Sequence, residues 1–308
     1  SQNQVFFVSD DSHYSYDKAA IILGIGLNNI KKVKTDSSGA MIPLELEKLI
    51  VEEKKISNYP FFVGLTAGTT VKGAFDPIKD IVKICKKYNL WSHIDGSWGG
   101  SILYSKSKKY LLQGSHTVDS FSIDAHKMLG VPLICSAIMF KKPGVLNELN
   151  NITGMDYLFH KEDDIEFNLG NYSLQCGRRV DALKLWLTFK YYGRDGIKIR
   201  IEYLVKLAEY TAEKINQDNN LRLISDLISL NICFQYIGIN DSSEEANDRT
   251  NYIRNQLILK KKYLINTVLI NSKKCFRLII VNPQLKIEDI DRLLNTIKKI
   301  AANYCSKK

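Results

Sequence analysis

Short apolar runs alternate with amphipathic segments through the first 140 residues of the chain. The amphipathic segments place apolar residues three and four positions apart, which predicts helices. They read SYDKAAIILG (15–24), PLELEKLIVEEKK (43–55) and DPIKDIVKICKKY (76–88). The apolar runs predict strands: VFFV (5–8), IKKVKT (30–35), FFVGLT (61–66), LWSHID (90–95), DSFSID (119–124) and LICSAIMF (133–140). Strands that alternate with helices indicate an α/β fold with a mostly parallel sheet.

Two of these predicted helices carry start signals. Pro43 suits the first helical turn, where the missing N–H has no intrahelical partner to lose. Asp76 is a good N-cap and Pro77 a good first helical residue for the next helix. The apolar stripe of that helix consists of Ile78, Ile81, Val82 and Cys85.

The alternation stops after residue 150. Residues 151–176 are polar, charged and weakly periodic, which predicts a long surface loop of the kind that often carries function. Helical patterns resume at 180–193 and 201–215, and a smaller α+β domain follows. Its strands read LRLIS, NICFQYIGI, TVLIN and KCFRLIIV, and its helices cover 246–260 and 286–302. We therefore expect a large domain over 1–195 and a small C-terminal domain over 196–308.

Composition is that of a globular protein, with 45% hydrophobic and 25% charged residues among 308. No apolar run approaches the length of a membrane span, and the N-terminus lacks the features of a signal peptide, so we expect no membrane association. The six cysteines show neither CxxC pairs nor zinc-ligand spacing. This pattern indicates reduced core cysteines, a cytoplasmic protein and no metal site.

The net charge of +10 favours acidic ligands or nucleic acid as partners. The lysines, however, are spread over many predicted helices and are not interleaved with aromatic residues. Solvated helix faces explain them, and we expect no nucleic-acid partner. The chain lacks an initiator methionine and begins almost directly in a strand-like run. We therefore expect a fragment, a processed chain or a sequence that lacks its upstream part.

Polar residues follow several of the predicted strands. His13 follows the first strand, Thr66 opens a threonine-rich run, Asp95 ends LWSHI, and Asp124 to Lys127 follow DSFSI. Ligands of open α/β sheets bind beyond the carboxyl ends of the strands, so these residues are candidates for one site. Each also has a structural interpretation: Asp95 could cap the GSWGG turn, and Lys127 could reach water from a strand end.

Lys127 stands between a strand end and the apolar run MLGVPLICSAIMF, where a lysine is unusual. A desolvated lysine can form a Schiff base with an aldehyde cofactor. Pyridoxal phosphate catalysis needs such a lysine, a carboxylate on the pyridine nitrogen, a flat side chain against the ring and a cation for the substrate carboxylate. The set predicts pyridoxal 5'-phosphate bound to Lys127.

The chain resembles the group II pyridoxal-phosphate-dependent amino acid decarboxylases, in particular the glutamate and cysteine-sulfinate decarboxylase branch. The matching stretches are DSHYSYDKAA (11–20), GLTAGTTVKGAFDPI (64–78), YNLWSHIDGSWGG (88–100), DAHKMLGVPLICSAI (124–138), YLF (157–159) and QCGRRVDALKLWL (175–187). The resemblance implies a transferase-like large domain of fold type I and a homodimer with its active site near the interface. It also implies α-decarboxylation of an acidic amino acid: glutamate, cysteine sulfinate or aspartate.

The same resemblance implies roles for individual residues. Lys127 matches the Schiff-base lysine and His126 its neighbour, with His126 a further catalytic candidate. Asp95 matches the aspartate paired with the pyridine nitrogen, and His13 matches the histidine stacked on the ring. Thr66 matches a polar residue close to the ring. In the C-terminal domain, Arg277 of the CFR stretch matches the arginine that holds the substrate α-carboxylate.

Three positions depart from the family pattern. Asp124 replaces an asparagine that helps to bind the cofactor phosphate, and an acid there repels a dianion unless it is paired or turned away. Ser97 stands where an alanine methyl packs on the ring. Phe167 stands near the tyrosine of the mobile loop that donates a proton, which leaves His126 or Tyr172 for that task. Loss of this tyrosine is expected in aldehyde-forming relatives.

The family's N-terminal segment, with the Gly-Gly-Ser turn that cradles the phosphate, has no counterpart in residues 1–308. A catalytically impaired or non-catalytic homologue, or a truncated dimerising fragment, therefore stays an alternative, and it predicts no Schiff base at Lys127. A dinucleotide-binding oxidoreductase is disfavoured, because LGIGLNN (23–29) lacks the third glycine and follows a predicted helix.

Overall fold

A computed structural model describes residues 3–151, 169–175, 177–238 and 241–304. The first half of the chain forms one six-stranded sheet in the order β2-β1-β3-β4-β5-β6. Its strands are β1 (Gln4–Ser9), β2 (Ile30–Val33), β3 (Tyr59–Thr66), β4 (Trp91–Asp95), β5 (Ser120–Asp124) and β6 (Ser136–Phe140). Strands β1 to β5 pair in parallel, and β6 is antiparallel to β5. The predicted α/β fold with a mostly parallel sheet is confirmed.

The order of the strands also locates a place for ligands. The chain leaves β1 for β2 on one side and then returns to β3 on the other side. This reversal is a topological switch point, where open α/β sheets leave a crevice at the carboxyl ends of the strands. The residues that follow β1, β3, β4 and β5 therefore meet at one edge of the sheet.

Helices cover the sheet as its apolar stripes require. They are α1 (Ser15–Ile22), α2 (Pro43–Lys55) and α3 (Ile78–Tyr88), followed by α4 (Val145–Asn151) and α5 (Asp181–Asn216). Pro43 opens the first turn of α2, as predicted. The predicted stripe of α3 is buried, with Ile78, Ile81, Val82 and Cys85 each no more than 4% exposed. Burial of these side chains contributes roughly 1.5–3 kcal/mol each.

A second, four-stranded antiparallel sheet follows in the order β7-β8-β10-β9. Its elements are β7 (Leu221–Leu223), β8 (Asn231–Tyr236), α6 (Ser243–Leu259), β9 (Asn266–Ile270), β10 (Lys273–Ile279) and α7 (Ile287–Ala301). This sheet and its helices match the predicted small α+β part. The two predicted helices 180–193 and 201–215 correspond to the two parts of α5, which are separated by a kink at Gly193, where the backbone leaves helical geometry. Since α5 runs across residue 195, the division into 1–195 and 196–308 stays a prediction.

No helix in the described ranges is both long and apolar enough to cross a membrane. The four cysteines that the structure describes are buried and form no disulfide.

Asp76 does not cap α3, and the prediction that it would was wrong. Pro77 occupies the N-cap position, and the helix begins at Ile78. The carboxylate of Asp76 instead accepts the backbone N–H groups of Thr66 at 2.6 Å and Met41 at 2.7 Å. The N–H of Asp76 donates back to the Thr66 carbonyl at 2.9 Å. The two hydrogen bonds between Thr66 and Asp76 join the end of β3 to the start of α3 and close the loop between them.

Asp76 is buried, with 3% of its surface exposed. Burial raises the pKa of Asp76 to about 7, with a further rise from the Asp11 and Asp36 carboxylates, against the two N–H bonds that lower it. The native carboxyl is therefore protonated over a range in which the unfolded one, near 3.8, is ionised.

We expect this difference to make stability fall as pH rises. Between about pH 4 and pH 7 the native state binds the extra proton, so the free energy of unfolding falls across this range and levels off above it. The total change is on the order of 4 kcal/mol, at about 1.4 kcal/mol per pKa unit. The asparagine of Asp76→Asn does not titrate in this range. The free energy of unfolding of this variant should therefore not fall between about pH 4 and pH 7.

Urea unfolding of both chains at several pH values between about 5 and 8 measures the difference. Asp80→Asn, which changes an exposed carboxylate in the first turn of α3, is the matched control and should follow the wild-type curve. Parallel curves for Asp76→Asn and wild type would show that Asp76 does not titrate in this range.

Candidate functional site

The polar residues at the ends of three neighbouring strands come together because the strands are parallel. Thr66 and Asp95 end β3 and β4 and are direct partners in the register of these two strands. Asp124 ends β5, which pairs with β4 through Ser122 opposite Asp95. The three side chains are therefore fixed at one edge of the sheet by backbone pairing.

A cavity of about 200 Å³ opens at this edge. Its lining includes six of the residues that the sequence predicted for the site. The lining residues are His13, Ser15, Thr66, Gly68, Thr70, Asp95, Ser97, Trp98, Asp124 and Lys127. The residues that follow four different strands thus converge on one small volume.

Lys127 and Asp124 form an ion pair in this cavity. The Nζ atom of Lys127 lies 3.0 Å from Oδ2 of Asp124, and the hydroxyl of Ser136 donates to Oδ1 at 2.6 Å. Asp124 is therefore paired, which is the condition under which an acid is compatible with an anionic ligand at this position. The Lys127 side chain is 39% exposed, so it lies both in the cavity and within reach of water.

Asp95 has one bonded and one unbonded carboxylate oxygen. Its Oδ1 accepts the N–H of Ser97 at 3.0 Å and so orients the turn that follows β4. This is the turn-capping role that the structural interpretation of Asp95 proposed. Its Oδ2 has no hydrogen bond among the described residues, so a donor in the cavity could still reach the same carboxylate.

Two buried polar atoms of the lining residues have no partner among the described residues: Oγ1 of Thr66 and Nε1 of Trp98. A buried donor without a hydrogen bond costs about 1–3 kcal/mol, so such atoms are rare in native proteins. Two of them at one cavity indicate that a polar ligand completes the site. Sequence reasoning missed Trp98, although its place in the DGSWGG turn directly after Asp95 was a signal.

His13 borders the cavity before α1. Its Nδ1 accepts the N–H of Ser15 at 3.3 Å, and its ring lies 4.2 Å from the ring of Tyr14. The imidazole is therefore held by its neighbours in the chain at the border of the cavity.

His126, predicted for catalysis, and Arg277, predicted for substrate binding, do not line the cavity. Nδ1 of His126 lies 2.9 Å from the carbonyl oxygen and 3.1 Å from the amide nitrogen of Cys135, and Nε2 lies 3.9 Å from Asp124. His126 thus lies next to Asp124 but outside the cavity lining. Arg277 donates from Nε to the carbonyl of Thr70 at 2.7 Å, and Thr70 belongs to the lining. Burial lowers the pKa of Arg277.

The predicted proton-donor position in the loop, Phe167, lies outside the described residues. Tyr172, named as an alternative donor, ends a short 3₁₀ turn (Leu169–Tyr172) and is 47% exposed. It is not among the residues that line the cavity.

Solved structures share this fold. The crystal structure of mouse CSAD superposes with a TM-score of 0.90 at 32% identity, over 97% of this chain and 64% of that chain. Rhodiola rosea 4-hydroxyphenylacetaldehyde synthase superposes with a TM-score of 0.88 at 25% identity, over 99% of this chain and 63% of that chain. Oryza sativa TDC with PLP and tryptamine gives 0.91 at 21% identity, over 98% and 63%, and this likeness concerns the fold alone.

The chain spans less than two thirds of the length of each of these proteins. Residues 1–237 match the pyridoxal-dependent decarboxylase conserved domain. This match covers most of the chain, including both the six-stranded sheet and every residue that lines the cavity. The chain belongs to the pyridoxal-dependent decarboxylase family.

Proposed function

We propose that this protein decarboxylates an acidic amino acid at its α-carbon with pyridoxal 5'-phosphate as cofactor. The observation that carries the proposal is the convergence of Lys127, Asp95, His13 and Thr66 on one cavity at the carboxyl ends of parallel strands. An amine, a carboxylate, a flat ring and an unpartnered hydroxyl are the donor set that this cofactor requires. The residues present therefore fit the group.

Each lining residue would hold a different part of the cofactor. The amine of Lys127 would attach it covalently, and the carboxylate of Asp95 would keep a proton on its pyridine nitrogen. The ring of His13 would stack on it. Oγ1 of Thr66, now without a partner, would donate a hydrogen bond to a cofactor oxygen. Pyridoxal phosphate supplies the electron sink for the electron pair that remains when carbon dioxide leaves.

The chain's own residues supply orientation and proton handling. Asp95 is fixed by its bond to the Ser97 N–H, so its carboxylate needs little reorganisation to hold a proton. Lys127 has Asp124 as its counter-ion at 3.0 Å, and this pair can exchange a proton with the substrate or water. His126, behind Asp124, is the further group that we propose for proton transfer.

The proposed acidic substrate rests on charge, because the net charge of +10 favours an anionic substrate. Arg277 would hold the α-carboxylate that every amino acid carries. Its Nε is already bonded to Thr70, so its Nη atoms stay available for a bidentate carboxylate. An aldehyde-forming reaction is the second candidate, because Phe167 replaces the expected tyrosine and Rhodiola rosea 4-hydroxyphenylacetaldehyde synthase has the same fold.

A cofactor-labelling experiment tests the proposal. Pyridoxal phosphate is added to the purified chain, the adduct is reduced with borohydride, and the labelled peptide is identified by mass spectrometry. We expect the label on Lys127, and we expect Lys127→Arg to lose both label and turnover. Arginine keeps the charge opposite Asp124, so a loss isolates the chemistry of the amine. Lys72→Arg, which changes a lysine paired with Asp11 outside the cavity lining, should keep both.

A wild-type chain that takes up no label would contradict the cofactor site and favour the non-catalytic alternative. Label elsewhere would contradict the role of Lys127. Product analysis then separates the two reactions. Decarboxylation yields an amine and carbon dioxide, whereas the second candidate is an oxidation that consumes dioxygen and water and yields an aldehyde, carbon dioxide, ammonia and hydrogen peroxide.

We expect Arg277→Lys to raise KM for the acidic substrate about ten- to a hundred-fold, because lysine keeps the charge but cannot form the paired bonds. The assay compares L-glutamate, L-aspartate and L-cysteine sulfinate with L-tyrosine, whose side chain is uncharged. Arg222→Lys, on the exposed face of β7, is the control and should leave KM unchanged. Faster turnover of L-tyrosine than of every acidic amino acid would contradict the proposed substrate class.

We also propose that the protein acts as a homodimer. The first half of α5 exposes large apolar side chains at helical spacing: Leu183, Trp186, Leu187 and Tyr191, which are 48%, 55%, 50% and 82% exposed. An apolar stripe of this kind on a helix face is typical of an interaction surface.

Sedimentation velocity measures the oligomeric state. We expect wild type to sediment as a dimer and Trp186→Glu to shift toward the monomer, because burying a carboxylate in an apolar interface is costly. Lys206→Glu, a charge change at an exposed position of the same helix beyond Gly193, is the control and should sediment like wild type. A wild-type monomer at all concentrations would contradict the proposed dimer.

A further inference from the structure

The 67–75 loop connects the cavity to the second sheet. It leaves β3 after Thr66 and returns at Asp76, and the two residues bond to each other as described above. Gly68 and Thr70 of this loop line the cavity. On its other side the loop contacts residues that come more than 150 positions later in the chain. It is therefore held between the cofactor edge of one sheet and the strands of the other.

Asn231, the first residue of β8, makes three of these contacts. Its Nδ2 lies 3.0 Å from the Val71 carbonyl oxygen, 3.1 Å from that of Thr70 and 3.4 Å from that of Thr69. The side chain is 1% exposed. The opposite amide orientation would place Oδ1 against three carbonyl oxygens, so repulsion excludes it. The amide hydrogens of Asn231 are thus committed to the loop.

The carbonyl of Thr70 is shared between Asn231 and Arg277. It accepts the Nδ2 hydrogen of Asn231 at 3.1 Å and the Nε hydrogen of Arg277 at 2.7 Å. A carbonyl oxygen has two lone pairs, so both are used. The direction of this carbonyl, which Asn231 helps to fix, determines where the guanidinium of Arg277 is anchored.

The loop backbone also packs closely against the start of β8, so a contact at β8 can fix the position of the loop. The hydroxyl of Ser229 donates to the Gly73 carbonyl at 3.2 Å. A Cβ atom on Gly73 would lie 2.6 Å from Oγ of Ser229 and 3.1 Å from Cγ of Asn231. Gly73 also has a φ of +69°, which disfavours other residues. The contact leaves the loop no room to shift toward the second sheet.

We propose that Asn231 is a positioning residue of the substrate site: it fixes the 69–71 carbonyls and, through the Thr70 carbonyl, the guanidinium of Arg277. The inference rests on the proposed function, because Arg277 is its proposed substrate-carboxylate group. Asn231 itself does not line the cavity and touches no reacting atom. Its effect is on where the substrate carboxylate binds.

The first test needs neither cofactor nor substrate. Phenylglyoxal modifies arginine guanidinium groups, and peptide mass spectrometry follows its rate at Arg277. We expect Asn231→Ala to change this rate several-fold, because the Thr70 carbonyl loses its second donor and no longer holds Nε in one direction. Asn247→Ala is the matched control: Asn247 bonds the Ser272 carbonyl and the Lys274 N–H and does not contact the loop. It should leave the rate unchanged.

The second test is a double-mutant cycle on KM for the best acidic substrate. We expect Asn231→Ala to raise KM about ten-fold, which corresponds to about 1.4 kcal/mol, with kcat changed much less. If Asn231 acts through Arg277, Asn231→Ala combined with Arg277→Lys should have the KM of Arg277→Lys alone. Multiplied effects would mean that Asn231 only stabilises the fold, and would overturn the inference.

The two tests separate the inference from the proposed function. If Lys127 of the wild-type chain takes up no label, the proposed function is contradicted. The rate of phenylglyoxal modification at Arg277 then still decides whether Asn231 positions Arg277. An unchanged rate at Arg277 in Asn231→Ala overturns the inference even if the wild-type chain is an active decarboxylase.

Discussion

The parallel register of β3 against β4 is the constraint on which the site depends. It places Thr66 opposite Asp95, and no side-chain interaction is needed to bring the two together. Backbone hydrogen bonds fix this geometry along the whole strand, so the carboxylate and the hydroxyl are positioned by many bonds at once. The turns after β1 and β5 then add His13 and Lys127 to the same edge. The sheet thus positions Thr66 and Asp95, and the segments that follow its strands contribute His13 and Lys127.

The second requirement is that the 67–75 loop keeps its place between two sheets. Asp76 fixes its base through the Thr66 N–H and carbonyl, and Asn231 fixes its far side through three carbonyls. Both residues are buried polar groups that cost free energy unless they are bonded. The N–H groups of Thr66 and Met41 satisfy the Asp76 carboxylate, and the loop carbonyls accept the Nδ2 hydrogens of Asn231. Since Asn231 belongs to β8, the position of the loop is coupled to the folding of the second sheet.

The strands and the polar residues at their ends could be predicted from sequence. The spacing of apolar residues identifies the strands, and ligands of open α/β sheets bind beyond the carboxyl ends of the strands. His13, Thr66, Asp95, Asp124 and Lys127 therefore fall together as expected. Asp76 and Asn231 could not be assigned in this way. Asp76 carries a helix N-cap signal in sequence, but its carboxylate bonds a strand end and a distant turn. Asn231 bonds a loop about 160 residues earlier, and no local pattern records such a contact.

The ion pair between Lys127 and Asp124 shows how a charged lysine is compatible with covalent chemistry at the same atom. The Lys127 side chain is more than a third exposed, and ion pairs of that exposure contribute only about 0–1 kcal/mol. The pair therefore orients the amine without binding it strongly. Asp124 also keeps a partner when Lys127 moves away, because the Ser136 hydroxyl donates to its other oxygen. When the lysine–carboxylate contact is replaced by a bond to a ligand, the Asp124 carboxylate therefore keeps one hydrogen-bond donor, which lowers the cost of releasing the amine for reaction.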